Sequence, residues 1–159
     1  MFIFSYLSKP QIKPPVFLLT INNNKEEAMG VFKDTNHLNE FLEDLWKYIV
    51  FESGLGDKMR EYGVSYKYII TDPPTYLYVD PDNVIVGDEA NRDGVITMEM
   101  SGDTIHQFWL KKLSLPVALA TRKIKAKGPI PKVLKMLPAL KPVYEKFPEY
   151  CKKHGLPSE

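Results

Sequence analysis

Apolar positions along this chain follow two periods, and the switches between them outline a fold. Leu38, Phe41, Leu42, Leu45, Trp46 and Ile49 recur at helical spacing, while Glu40, Glu43, Asp44 and Lys47 take the other side. Asp34 or Thr35 supplies the N-cap, a side-chain oxygen for an amide that has no partner within the helix. Gly54 and Gly56 break this pattern, and a shorter helix around Asp57–Tyr62 is expected to stop at Gly63. The period then falls to two. Val64–Thr71, Thr75–Asp80, Val84–Val86 and Val95–Met100 are short runs rich in β-branched and aromatic residues, and Asp72-Pro73-Pro74 and Pro81-Asp82-Asn83 mark turns between them. Short turns make consecutive strands antiparallel in the simplest arrangement. In the last run Ile96, Met98 and Met100 share one face.

Helical spacing returns after Ser101, which serves as N-cap with Asp103 in the first turn. Ile105, Phe108, Trp109 and Leu113 form its apolar stripe. Pro116 resets the chain and Val117–Ala120 adds a turn. Arg122–Gly128 alternates again, with Ile124 and Ala126 inward and Lys123, Lys125 and Lys127 outward, an arrangement that also protects an edge strand. Pro131, Pro138, Pro142 and Pro148 predict two or three short helices that restart at prolines. Val133, Leu134, Leu137, Leu140, Tyr144 and Phe147 form the expected buried stripe.

Residues 1–33 carry weaker signals. Proline, lysine and asparagine dominate, one strand over Val16–Ile21 is expected, and Met29 offers an alternative start. The segment reads as an N-terminal appendage to one domain over residues 34–159. A chain of 159 residues suits a single domain with a real core. Its apolar runs are far shorter than the ~20 residues that span a bilayer, and no basic residue precedes the first, which points to a cytoplasmic protein. The lone Cys151 excludes an internal disulfide and reads as an inert helix residue.

Charge changes the picture more than composition does. The net charge is +1, yet residues 1–110 carry 9 basic and 17 acidic side chains and residues 111–159 carry 12 basic and 3 acidic. Either the two parts fold together and offset one another, or the basic part forms a face for anionic headgroups or a phosphorylated lipid carrier. Nucleic-acid binding fits poorly, because the tract has no reading-module motif and few aromatics to stack on bases.

No constellation for catalysis emerges. His37, His106 and His154 lack metal-ligand spacing and read as surface or structural histidines. The run Asp80–Asn83 is turn chemistry, without the glutamate that closes a calcium loop. There is no phosphate-binding glycine loop and no nucleophile elbow, and Ser101 and Thr104 have no base partner in sequence. No cofactor and no metal are expected. Tyr66, Tyr68, Tyr76 and Tyr78 alternate along adjacent strands. They serve either as cross-strand packing or as hydroxyls that orient a lipid's polar end.

The stretch Ile96–Pro138, with Met98–Asp103, Pro116–Ala120 and Lys123–Gly128 as its most specific parts, resembles the sterol carrier protein type 2 family. The resemblance extends from about Val31 to Gly155. It departs at two places: Lys111 and Arg122 stand where the family often has glycine, so the corner between them is expected to differ in shape. The resemblance implies an α+β domain, a mostly antiparallel sheet of about five strands with helices covering one face and a hydrophobic tunnel between. By position Ile96, Met98, Phe108, Leu113, Ile124, Val133, Leu137, Leu140 and Tyr144 are the tunnel candidates; each serves equally as solid core. Lys123, Lys125, Lys127, Lys132 and Lys135 are candidates for an anionic membrane surface or the phosphates of CoA. The implied function is non-enzymatic carriage of a lipid, fatty acid, fatty acyl-CoA, sterol or isoprenoid. The alternative is an accessory subunit that presents a lipid or acyl group to a partner enzyme.

Overall fold

The computed structural model describes residues 30–159, and the domain built from them runs from Val31 to Glu159. The expected strand at Val16–Ile21 and the alternative start at Met29 lie outside the described residues. Val31 and Phe32 already belong to the domain. Phe32 is buried against Phe41, and the Val31 amide donates to Asp103 Oδ1 at 3.0 Å.

Helix α1 (Thr35–Phe51) begins where the Asp34 carboxylate accepts the His37 amide at 2.8 Å. It buries the predicted stripe, extended by Val50. Helix α2 (Leu55–Tyr62) ends at Gly63, which takes the left-handed φ of 66° expected of a helix stop. Strands β1 (Tyr66–Thr71), β2 (Pro74–Asp80) and β3 (Asn83–Val86) then form an antiparallel meander.

Strand β4 (Ile96–Met100) corrects the simple antiparallel expectation. Residues 87–94 carry the chain back past β2, and β4 pairs with β1 in parallel. Strand β5 (Lys125–Lys127) pairs antiparallel with β4 and is shorter than the predicted Arg122–Gly128. The sheet order is β3-β2-β1-β4-β5, mostly antiparallel with one parallel pair.

This register aligns Val86, Leu77, Tyr68, Met98 and Ala126 in one row across all five strands, facing the helices. Val79, Tyr66 and Ile96 form the next row, and Thr75, Ile70 and Met100 a third. Tyr76, Tyr78, Thr97, Glu99, Lys125 and Lys127 point to the opposite face by alternation. The four strand tyrosines are therefore divided. Tyr66 and Tyr68 face the core, whereas Tyr76 and Tyr78 lie outside under the cations of Lys67 and Arg92, at 5.5 and 5.2 Å from the ring centres.

Helix α3 (Gly102–Trp109) starts at Ser101, whose hydroxyl accepts the Thr104 amide at 3.1 Å. Gly102 is required there. A Cβ at this position would lie 2.8 Å from the Asp72 carbonyl oxygen, the same oxygen that accepts the Gly102 amide. Helix α4 (Leu115–Ala120) is capped by Ser114. In the tail, Pro131 lies in the first turn of α5 (Ile130–Met136), Pro138 in a 3-10 turn (Leu137–Leu140) and Pro142 in the first turn of α6 (Lys141–Lys153). Pro148 is the exception: it sits on the exposed side within α6 and starts no helix. Leu134 corrects the predicted stripe. Helix α5 is only seven residues long and turns Val133 and Met136 inward, which leaves Leu134 at 40% exposure.

The corner expected to differ in shape at Lys111 and Arg122 keeps a glycine-like backbone. Lys111 and Arg122 both adopt φ of 63°, and they are the non-glycine residues of positive φ among those described. An L side chain held there costs about 1–2 kcal/mol, and glycine gives back part of that relief through a freer unfolded chain. Lys111→Gly and Arg122→Gly are each expected to stabilise the domain by up to about 1 kcal/mol. Urea unfolding checks this: the midpoint should rise with an unchanged slope.

Candidate functional site

Between the sheet and the helical layer lies an apolar cavity of about 70 Å³. Its floor is the inward face of β1 and β4: Tyr66, Tyr68, Met98 and Met100. Trp46 of α1 and Leu55 of α2 close one side. Ile105, Phe108 and Trp109 of α3 form another. Leu115 of α4, Ile124 ahead of β5, and Val133, Met136, Leu137 and Leu140 of the α5 region complete it.

Six of the nine tunnel candidates meet at this cavity: Met98, Phe108, Ile124, Val133, Leu137 and Leu140. Ile96 is fully buried in the neighbouring row and packs as solid core. Leu113 falls beyond the end of α3, where the left-handed turn at Lys111 takes it out of helical register; it packs half-buried against the core. Tyr144 stands behind the wall, its ring 6.0 Å from Phe108 and 5.6 Å from Trp109, with Lys111 Nζ 5.3 Å above it. Trp46, Leu55, Met100, Ile105, Trp109, Leu115 and Met136 also line the cavity and were not among the tunnel candidates. Periodicity places their side chains inward, but which inward residues meet across the layers is a tertiary fact.

Among the described residues no carboxylate, ammonium, guanidinium or imidazole borders this space. Its phenols report how dry it is. Burial pushes the Tyr66 hydroxyl up to about 12, and pushes that of Tyr68 well above the ordinary phenol range, with Tyr66 adding to the effect. The two rings stack at 5.8 Å. The Tyr66 hydroxyl donates to Met136 Sδ at 3.4 Å, a weak acceptor.

The five candidate lysines are all exposed but occupy two surfaces. Lys125 and Lys127 project from β5 onto the open sheet face, into a groove they share with Arg122 and Glu99. Lys132 and Lys135 lie on α5, where Lys132 Nζ also donates to the Tyr62 carbonyl at 2.9 Å. Lys123 lies between the two in sequence. None of them forms an ion pair with a described residue. From Lys111 to Tyr144 the chain carries nine basic residues and no acidic one, so any acidic neighbour, such as Glu99 in the β5 groove, comes from elsewhere in the chain.

The histidines and the cysteine are structural. His37 Nε2 donates to the His154 carbonyl at 2.6 Å, and His106 Nε2 to the Pro157 carbonyl at 2.7 Å. His154 Nε2 lies 2.8 Å from Asp44 Oδ2, which Lys153 also meets at 2.8 Å. Together they fasten the end of the chain to α1 and α3. Cys151 is fully buried, and burial pushes its thiol up to about 11, away from nucleophilic use. Among the described residues no group of three His, Cys, Asp or Glu is placed to hold a metal ion, and no helix is long and apolar enough to cross a membrane.

No protein-family model and no curated protein matches the chain. Solved structures do. The solution structure of the sterol carrier protein domain 2 of Helicoverpa armigera matches with a TM-score of 0.50 at 16% identity, over 67% of this chain and 84% of that one. The apo form of sterol carrier protein 2 from Yarrowia lipolytica gives 0.46 at 17% identity, over 69% and 88%. The stereoselective inverting sec-alkylsulfatase Pisa1 from a Pseudomonas species gives 0.42 at 21% identity, over 50% of this chain. The chain spans only 13% of that enzyme's length. The described domain thus shares the sterol carrier protein fold, the fold that its sequence resembles.

Asp44 carries a pH prediction. Burial acts to raise its pKa, but hydrogen bonds and charge from Lys153 and His154 outweigh this and hold the carboxyl below its ordinary range. A folded-state pKa below the unfolded one stabilises the fold above about pH 4, and that contribution disappears as pH falls through the folded value. Asp44→Asn is expected to cost about 0.5–1 kcal/mol near neutrality, a figure discounted for the half-open setting. The difference from the native chain should close below about pH 4. Chemical unfolding of both proteins across that range checks it.

Proposed function

We propose that this domain binds and carries a hydrophobic ligand, and that the ligand's apolar part occupies the space between sheet and helices. The carrying observation is the cavity itself, walled by aromatic, thioether and aliphatic side chains and, among the described residues, bordered by no charged group. The ligand classes that suit it are a lipid, fatty acid, fatty acyl-CoA, sterol or isoprenoid. No nucleophile with an adjacent base borders the cavity, which favours carriage over catalysis.

At about 70 Å³ the cavity is smaller than the ~150 Å³ that admits benzene elsewhere, so a lipid tail enters only when the cover yields. Helices α4 and α5 are the elements suited to yield. They are six and seven residues long and end in turns rather than in long packed segments. Met98, Met100 and Met136 give the walls adaptable thioethers. Burial releases about 0.8 kcal/mol per methylene relative to water, and a bilayer offers nearly the same. The exchange between protein and membrane is therefore close to balanced, as a carrier requires.

A second reading rests on a different observation. Val117 of α4 and Leu134 of α5 stand 52% and 40% exposed on the cover, among lysines. This suits an accessory subunit whose cover docks on a partner enzyme while it presents a lipid or acyl group.

Native mass spectrometry of the full chain after gentle purification separates the two readings. A copurifying lipid supports the carrier; a copurifying enzyme with an empty domain supports the subunit. A domain that stays empty after exposure to mixed lipid vesicles would end the carrier reading.

The lysines are proposed to hold an anionic surface or the phosphates of CoA. Reversing Lys123, Lys125, Lys127, Lys132 and Lys135 to glutamate is expected to abolish sedimentation with phosphatidylserine vesicles, since each cation near such a surface contributes about 1 kcal/mol. Unchanged sedimentation discards this role.

A further inference from the structure

The cavity's polar equipment narrows its ligand. Resting on the carrier reading above, we infer that the site selects lipids whose buried polar group is an uncharged oxygen acceptor, an alcohol, ketone, ester or thioester, with Tyr66 and Tyr68 as the recognising donors.

Tyr66 is only 4% exposed and aims its hydroxyl into the space beside Met136. A thioether is a poor acceptor, so this donor is left with little of its hydrogen-bonding capacity used. Tyr68, half-buried, stacks beside it and also lines the cavity. Two neighbouring phenols in an apolar chamber can each offer a proton to one ligand oxygen. A ligand oxygen is a stronger acceptor for the Tyr66 hydroxyl than the thioether it now meets.

The same walls reject a charge. An ionised carboxylate taken from water needs a cation or several strong donors, and no cation among the described residues borders the cavity. The exposed lysines on β5 and α5 are outside it. A free fatty acid therefore enters in its neutral form. The raised phenol pKa values agree with this: the environment that keeps the hydroxyls protonated disfavours a carboxylate for the same reason.

The chain has two tryptophans, Trp46 and Trp109, and both line the cavity, so intrinsic fluorescence reports its occupancy. The test titrates the full chain with 2-dodecanone, 1-dodecanol, dodecanoate and dodecane at about pH 6 and about pH 9, well apart from and above the carboxylate range. The ketone and alcohol should bind about three- to tenfold tighter than dodecane, the yield of one net hydrogen bond. Dodecanoate should weaken by about tenfold per pH unit, following its neutral fraction, while the others do not change. Tyr66→Phe combined with Tyr68→Phe keeps the apolar volume and should erase the preference for oxygenated probes while leaving dodecane unaffected.

Equal binding of dodecanoate and 2-dodecanone at about pH 9, or an undiminished preference in the double variant, overturns the inference and leaves the carrier reading standing. No tryptophan response to any of the four probes overturns both.

Discussion

The parallel pairing of β1 with β4 is the constraint on which the site depends. It sets Tyr66 beside Ile96 and Tyr68 beside Met98, and it opens the sheet centre to residues that are thirty positions apart in the chain. An antiparallel continuation of the meander would have placed β4 next to β3 at the sheet edge. Tyr66 and Tyr68 would then lie far from the two methionines. With β1 central, its inward residues are flanked on both sides, and the row from Val86 to Ala126 forms a continuous apolar sheet face whose middle, Tyr68 and Met98, is part of the chamber floor. Because side chains alternate strictly along a strand, a slip of one residue would turn Lys67 and Ile69 into the chamber. The floor's character therefore rests on register as much as on composition.

Much of this was legible in the sequence because it is local. The caps at Asp34 and Ser101, the stop at Gly63 and the stripe of α1 are each decided within a few residues by backbone hydrogen bonding and period. The alternation around β5 was equally clear: Ile124 is buried, Ala126 half-buried, and Lys123, Lys125 and Lys127 are exposed. What escaped was what distance in the chain conceals. Residues 87–94 look like a loop in sequence, and nothing in them says that they lead past two strands. Leu134 looks like one more member of a stripe until the 3-10 turn at Leu137–Leu140 ends its helix. The tyrosine alternation was visible, but only pairing decides that one pair faces the chamber and the other the open face.

Lys111 and Arg122 show a different limit. Each side chain stands where the resemblance leads one to expect glycine, and the natural inference from side chains is a reshaped corner. The backbone instead accepts the left-handed conformation at both positions, which glycine would adopt without cost. The pressure to maintain that geometry comes from its neighbours. The turn at Lys111 ends α3 just after Trp109 has entered the cavity wall, and the turn at Arg122 aims Ile124 inward. The corner is strained because both of its ends are anchored in the same apolar space. A single-sequence reading sees the substituted residue but not the anchors on either side.

The distribution of charge joins the chamber to its exterior. Nine basic residues between Lys111 and Tyr144 lie on the cover, on its connecting turns and on the open face of β5, and none enters the chamber. Burying one of them would cost several kcal/mol without a partner, so segregation is enforced by solvation and needs no special selection for function. Its consequence for a ligand is directional. On the proposed reading, an amphiphile would place its tail among Met98, Phe108 and Val133, its first uncharged oxygen near Tyr66 and Tyr68, and any phosphate outside among the lysines. A fatty acyl thioester meets all three conditions at once, because its carbonyl is neutral and its charges lie several bonds away. A free carboxylate does not, since its charge sits on the very oxygen the phenols would receive. The chemistry that separates these ligands is thus the distance between the last apolar carbon and the first charge. On that reading, two tyrosines and a described lining without a cation make the domain sensitive to it.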